Sequence, residues 1–91
     1  MNPISNLQAR LEAQGYWVAT RLLAPGTIFG AYCLCETRIE VVFSGQMRIV
    51  IDGQSRLLGP GDWVEIPAGA MVSAEIIGEE PVLDLEAAQA S

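Results

Sequence analysis

The chain contains no histidine and no lysine, and these two absences exclude more than any residue it has. Without histidine there is no imidazole base, no Ser-His or Cys-His nucleophile pair and no imidazole ligand for a metal. Without lysine there is no Schiff-base chemistry. All five cations are arginines, against eleven carboxylates, for a net charge of −6 over 91 residues. That balance excludes a phosphate-backbone binder, which needs a basic stripe, so no nucleic-acid partner is expected. No apolar run approaches the roughly 18 residues of a membrane span, so no membrane partner is expected either. The first fifteen residues carry Arg10 and Glu12 and no apolar core of a signal peptide, which points to a cytoplasmic protein. Cysteine is nearly absent too. Cys33 and Cys35 stand two apart, a spacing that leaves their Cβ atoms on a strand too far apart for a disulfide. Two free thiols suit a reducing compartment.

What is present is apolar. Half of the residues, 51%, are hydrophobic, so disorder is excluded and a chain of this size is expected to hide further surface in an oligomer. Ser5 with Gln8 reads as a capping box opening a short helix that Gly15 stops. From Tyr16 onward the helical period disappears. Short apolar runs follow, cut by Pro and Gly: Tyr16–Ala24, Thr27–Cys35, Ile39–Phe43, Met47–Ile51, Arg56–Leu58, Trp63–Ile66, Met71–Ile77 and Val82–Leu85. Such a series predicts an all-β sandwich or barrel. Residues 1–15 are read as a helix, 16–86 as the barrel and 87–91 as a fraying tail. Asp52-Gly53 suits a type I′ turn, and Gly59-Pro60-Gly61-Asp62 suits type II.

Ser44-Gly45 reads as a two-residue hairpin loop. Across it Val42 faces Met47, Glu40 faces Ile49 and Arg38 faces Ile51 on one side of a sheet. Ile39, Val41, Phe43 and Val50 share the other side. Both sides are largely apolar, so the second needs a helix or a second chain to cover it, and these four residues are the expected homodimer face. Tyr16, Trp17, Trp63, Met47 and Met71 are read as packing residues.

The spacing of the turn residues resembles the cupin superfamily, small β-barrels of jelly-roll type. The first cupin motif, G-x5-H-x-H-x3-E-x6-G, fits without a gap on Gly26, Tyr32, Leu34, Arg38 and Gly45. The second, G-x5-P-x-G-x2-H-x3-N, fits on Gly61, Pro67, Gly69, Val72 and Ile76, and the 15 intervening residues match compact single-domain members. The resemblance spans about Tyr16 to Glu86 and implies a single small cupin barrel behind a short N-terminal helix. Its chemistry departs. The three histidine positions hold Tyr32, Leu34 and Val72, and the glutamate position holds Arg38, so no metal and no other cofactor is expected.

In place of the metal set stands an expected pocket of Tyr32, Leu34, Arg38, Glu40, Val42, Met47 and Val72. Arg38 either anchors a small anionic organic ligand there or is neutralised by Glu40. The reading is therefore a metal-free barrel that binds or senses a small molecule, or pairs as a dimeric interaction module. The alternative is a cupin-type enzyme (isomerase, dioxygenase or lyase-like). It would use Arg38, Glu40 and Tyr32, or a soft-metal site of Cys33 and Cys35 with Glu40 after a one-residue shift of the motif.

Overall fold

The computed structural model describes residues 3–89. One helix precedes eight strands: α1 (Pro3–Ala13), β1 (Tyr16–Leu23), β2 (Ile28–Cys33), β3 (Arg38–Ser44), β4 (Gln46–Ile51), β5 (Gln54–Leu58), β6 (Trp63–Ile66), β7 (Met71–Ile77) and β8 (Val82–Gln89). Pro3 stands at the helix start, where a missing N–H costs nothing. Ser5 therefore lies inside the first turn and is not the cap. Gly15 ends the helix as expected, at φ 92° with its N–H donating to the Glu12 carbonyl.

The strands form two antiparallel four-stranded sheets facing one another. Sheet A runs β1-β8-β3-β6 and sheet B runs β2-β7-β4-β5. Both expected tight turns are present. Asp52 (φ 47°) and Gly53 (φ 83°) join β4 to β5, and the Asp62 N–H donates to the Gly59 carbonyl around Gly61.

The expected hairpin between β3 and β4 does not form. Ser44-Gly45 is a corner at which the chain passes from sheet A to sheet B, so the two strands never pair. Gly45, at φ 79°, passes so close to the next corner that a Cβ there would overlap the Pro81 carbonyl oxygen and Val82. Only glycine fits. The side-chain faces nevertheless come out as the alternation dictates, because a corner between facing sheets keeps the inward side inward. Val42 from sheet A and Met47, Ile49, Val72 and Ile76 from sheet B are buried together in one core. Each such side chain contributes about 1.5–3 kcal/mol on leaving water.

The outer side of sheet A is covered by the helix. Leu7 and Leu11 pack on Leu85, Ala87, Ile39, Val41 and Phe43. Three of the four residues expected to meet a partner chain are thus covered from within, and the fourth, Val50, lies on the outer side of sheet B. The tail expectation is also corrected over 87–89. These residues continue β8, with Ala87 fully buried between Val18 and Ile39, while residues 90–91 lie outside the described residues. Alternation explains this: Ala87 continues the inner–outer pattern of Leu83 and Leu85 under the helix.

Candidate functional site

One end of the barrel, beside the start of β3, gathers the charged residues of the interior. β1, β8 and β3 lie side by side in sheet A, with Arg21 opposite Asp84 and Glu40 opposite Glu86. All four side chains point inward. Arg21 is the centre of the group. Its Nε and Nη2 donate to the two Asp84 oxygens at 3.2 and 2.7 Å. Its Nη1 lies 3.0 Å from Glu86, and Glu40 Oε2 lies 3.6 Å from Nη2. The Phe29 ring covers the guanidinium at 5.3 Å.

Arg38 occupies a second position in the same mouth. It reaches Glu36 at 3.2 Å and Glu86 at 3.4 Å, and Nη1 donates to the Tyr32 hydroxyl at 3.3 Å, with the Tyr32 ring 5.9 Å away. The expected neutralisation of Arg38 by Glu40 is therefore corrected. Glu36 and Glu86 neutralise Arg38, and Glu40 turns to Arg21 and Asp84.

Asp84 is fully buried and the Glu40 side chain is 5% exposed. Burial disfavours the Glu40 carboxylate, and the hydrogen bond to Asp84 and the negative charge of Asp84 act in the same direction. Arg21 opposes them, and the Glu40 pKa is pushed up to about 10. Burial and Asp84 thus favour the protonated form of Glu40, while its contact with Arg21 favours the carboxylate. Burial works against the Arg21 charge, but the Asp84 hydrogen bond and the pull of Asp84, Glu86 and Glu40 overcome it and raise its pKa.

The space left in this mouth is small. A cleft of about 20 Å³ lies between Arg21, Phe29, Tyr32, Arg38, Glu40 and Val72, among others. That is room for about one water. Among the described residues two buried polar atoms, Arg38 Nε and Glu40 Oε1, face no hydrogen-bond partner. Of the seven residues expected to line a pocket, Tyr32, Arg38, Glu40, Met47 and Val72 do line this cleft. Leu34 and Val42 are buried in the core instead. A larger open groove of about 390 Å³ lies at the other end of β3, beside Gly45, Glu79 and Glu80.

The residues at the motif's ligand positions do not suit a metal. Leu34 and Val72 are core hydrocarbons, Arg38 is a paired cation, and the Tyr32 hydroxyl accepts from Arg38. Among the described residues no group of three His, Cys, Asp or Glu side chains is placed to hold a metal ion. Cys33 ends β2 and Cys35 lies in the bend that follows it, and both are exposed. Glu40 points into the barrel, away from them. Trp17, Trp63 and Met71, expected in packing, are also exposed, whereas Met47 is buried as expected and Tyr16 packs beneath the helix.

Neither a protein-family model nor a curated protein sequence matches the chain. Solved structures do. The Cupin_2 domain of an XRE family transcriptional regulator from Enterobacter cloacae superposes with a TM-score of 0.75 at 23% identity, over 88% of this chain and 86% of that one. A Cupin 2 conserved barrel domain protein from Salinispora arenicola gives 0.76 at 22% identity, over 85% of this chain and 65% of that one. An RmlC-like cupin from Shewanella frigidimarina gives 0.76 at 13% identity, over 85% and 68%. The chain has the cupin fold, with all four glycines of the two motifs, Gly26, Gly45, Gly61 and Gly69, at positive φ. No helix is long and apolar enough to cross a membrane among the described residues.

Proposed function

We propose that this cupin-fold barrel is a metal-free, non-catalytic interaction module that works as a homodimer through the outer side of sheet B. The interior supports the non-catalytic part. The barrel is filled by its own side chains, and its mouth is closed by an ion network with space for about one water. Arg38, the expected anion anchor, already faces two carboxylates. One of the solved neighbours is a cupin domain of a transcriptional regulator.

The observation that carries the dimer is a single row of residues across sheet B. Ile28 pairs with Glu75, Glu75 with Arg48, and Arg48 with Leu57, so the row crosses all four strands from edge to edge. Its ends are exposed hydrocarbon, Ile28 at 70% and Leu57 at 57%. Its middle is an Arg48–Glu75 ion pair at 3.5 Å. Read across, the row is apolar, acidic, basic, apolar. A two-fold axis lying in the interface, perpendicular to the row, sets it against its own reverse. Arg48 then faces the partner's Glu75, and Ile28 faces the partner's Leu57. A two-fold contact needs such a self-complementary patch. The patch is neutral on a chain of charge −6, so two copies meet here without the repulsion they meet elsewhere.

Light scattering is expected to give twice the chain mass. Arg48→Glu alone or Glu75→Arg alone places like charges opposite twice over and is expected to give monomer. The double exchange restores the complementarity and is expected to return the dimer. A wild type that stays monomeric at high concentration, or a double exchange no better than the singles, removes the proposal. Metal analysis of the purified protein is expected to find no stoichiometric Zn, Fe, Mn or Ni, and finding one overturns the metal-free reading.

A further inference from the structure

We infer that Glu40, Asp84 and Glu86 form a guanidinium-binding site and that Arg21 is its tethered occupant. The arrangement has the parts that recognition of a free guanidinium compound requires. Asp84 receives two N–H groups side by side, at 3.2 and 2.7 Å, the fork-to-fork geometry that an ammonium cannot reproduce. Glu86 takes the remaining terminal nitrogen at 3.0 Å. Phe29 covers the flat face. Asp84 and Glu86 thus meet the guanidinium at hydrogen-bond distances, with Glu40 beside them at 3.6 Å. A calcium ion would need oxygens from all sides at 2.3–2.6 Å, and the ring of Phe29 offers none.

A second observation points to a ligand site rather than to a chance ion pair. Glu40, almost wholly buried, directs an unpartnered Oε1 into the cleft beside the guanidinium. The site therefore has more acceptor capacity than its present occupant uses. The occupant arrives from outside. β1 is an edge strand, and the Arg21 side chain is 30% exposed. Removing that side chain takes away the part-exposed group that stands between solvent and the carboxyl groups of Glu40, Asp84 and Glu86. This inference concerns the mouth alone and does not depend on pairing through sheet B.

The test is chemical rescue of Arg21→Ala with methylguanidinium at low millimolar concentration. Methylammonium and calcium chloride at equal ionic strength serve as comparisons. The variant is expected to melt well below wild type. Methylguanidinium at roughly four-fold above its Kd is expected to raise the Tm by about 4–8 °C. The same addition leaves wild type unchanged, because Arg21 fills the site. Adding Phe29→Leu to Arg21→Ala is expected to weaken the rescue. If Arg21→Ala does not fold alone, recovery of β-sheet circular dichroism on titration with methylguanidinium replaces the melting curve as the readout. Equal rescue by methylammonium or calcium overturns the guanidinium assignment, since charge alone then suffices. No rescue, or an equal Tm shift in wild type, overturns it as well.

Discussion

Arg21→Met is expected to lower the unfolding free energy by about 3–5 kcal/mol, the cost of leaving a buried charge without its partner. The charge in question is Asp84, fully buried and left facing Glu40 and Glu86 with no cation between them. The decisive comparison is Arg21→Met with Asp84→Leu in the same chain. That pair replaces ions with hydrocarbon of similar volume, and such exchanges are often neutral or stabilising. Urea unfolding of the two variants is expected to show a large loss in the single variant and most of it regained in the double. A double variant as unstable as the single would mean that the cluster stabilises by more than mutual compensation.

The second large effect is on pH. Glu40 has a folded-state pKa of about 10 against an ordinary value of 4.5, so the folded chain holds a proton that the unfolded chain has released. The state that binds more protons is favoured by acid. The contribution of Glu40 is therefore fully present below about pH 4.5 and is lost as the pH rises through the folded pKa. Between those limits the slope approaches about 1.4 kcal/mol per pH unit. The surrounding charges are Arg21 from β1, Arg38 from β3 and Asp84 and Glu86 from β8. Glu40→Gln keeps the shape and removes the titration. Subtracting its stability curve from that of wild type isolates the Glu40 contribution, which is expected to fall steadily from pH 5 to pH 9. A difference that stays flat over that range would mean that Glu40 is ionised in the fold.

Much of the fold is legible in the sequence because turns and alternation are local. Asp52-Gly53 and Gly59-Pro60-Gly61-Asp62 name their own geometry. Alternation sets which side chains share a side, and it holds even at Ser44-Gly45, where the pairing inferred from it does not. A short loop between two apolar runs reads the same whether the strands fold back as a hairpin or turn into the facing sheet. The difference lies in Val82, distant in sequence, which fills the space beside Gly45.

The site is less legible, and for a physical reason. Arg38, Glu40 and Tyr32 are found because the cupin motif points to their strand positions. Arg21, Asp84 and Glu86 lie outside both motifs. In β8 the polar residues alternate with Leu83, Leu85 and Ala87, and such a strand ordinarily turns its charges to water. Here the helix claims the apolar side, and the charges are turned inward. The signal that carries this is long-range: a cation alternating in phase in β1, 63 positions from Asp84.

β8 is the last of the eight strands in chain order, yet it lies between β1 and β3 in the middle of sheet A. A ribosome delivers it after every other strand. Without it β1 has no hydrogen-bonded neighbour strand among the described residues, the helix lacks Leu85 and Ala87 beneath it, and Arg21 has neither Asp84 nor Glu86. Sheet B contains none of β8. The charged mouth and the middle of sheet A both depend on this one strand, so neither can be complete before it has been made.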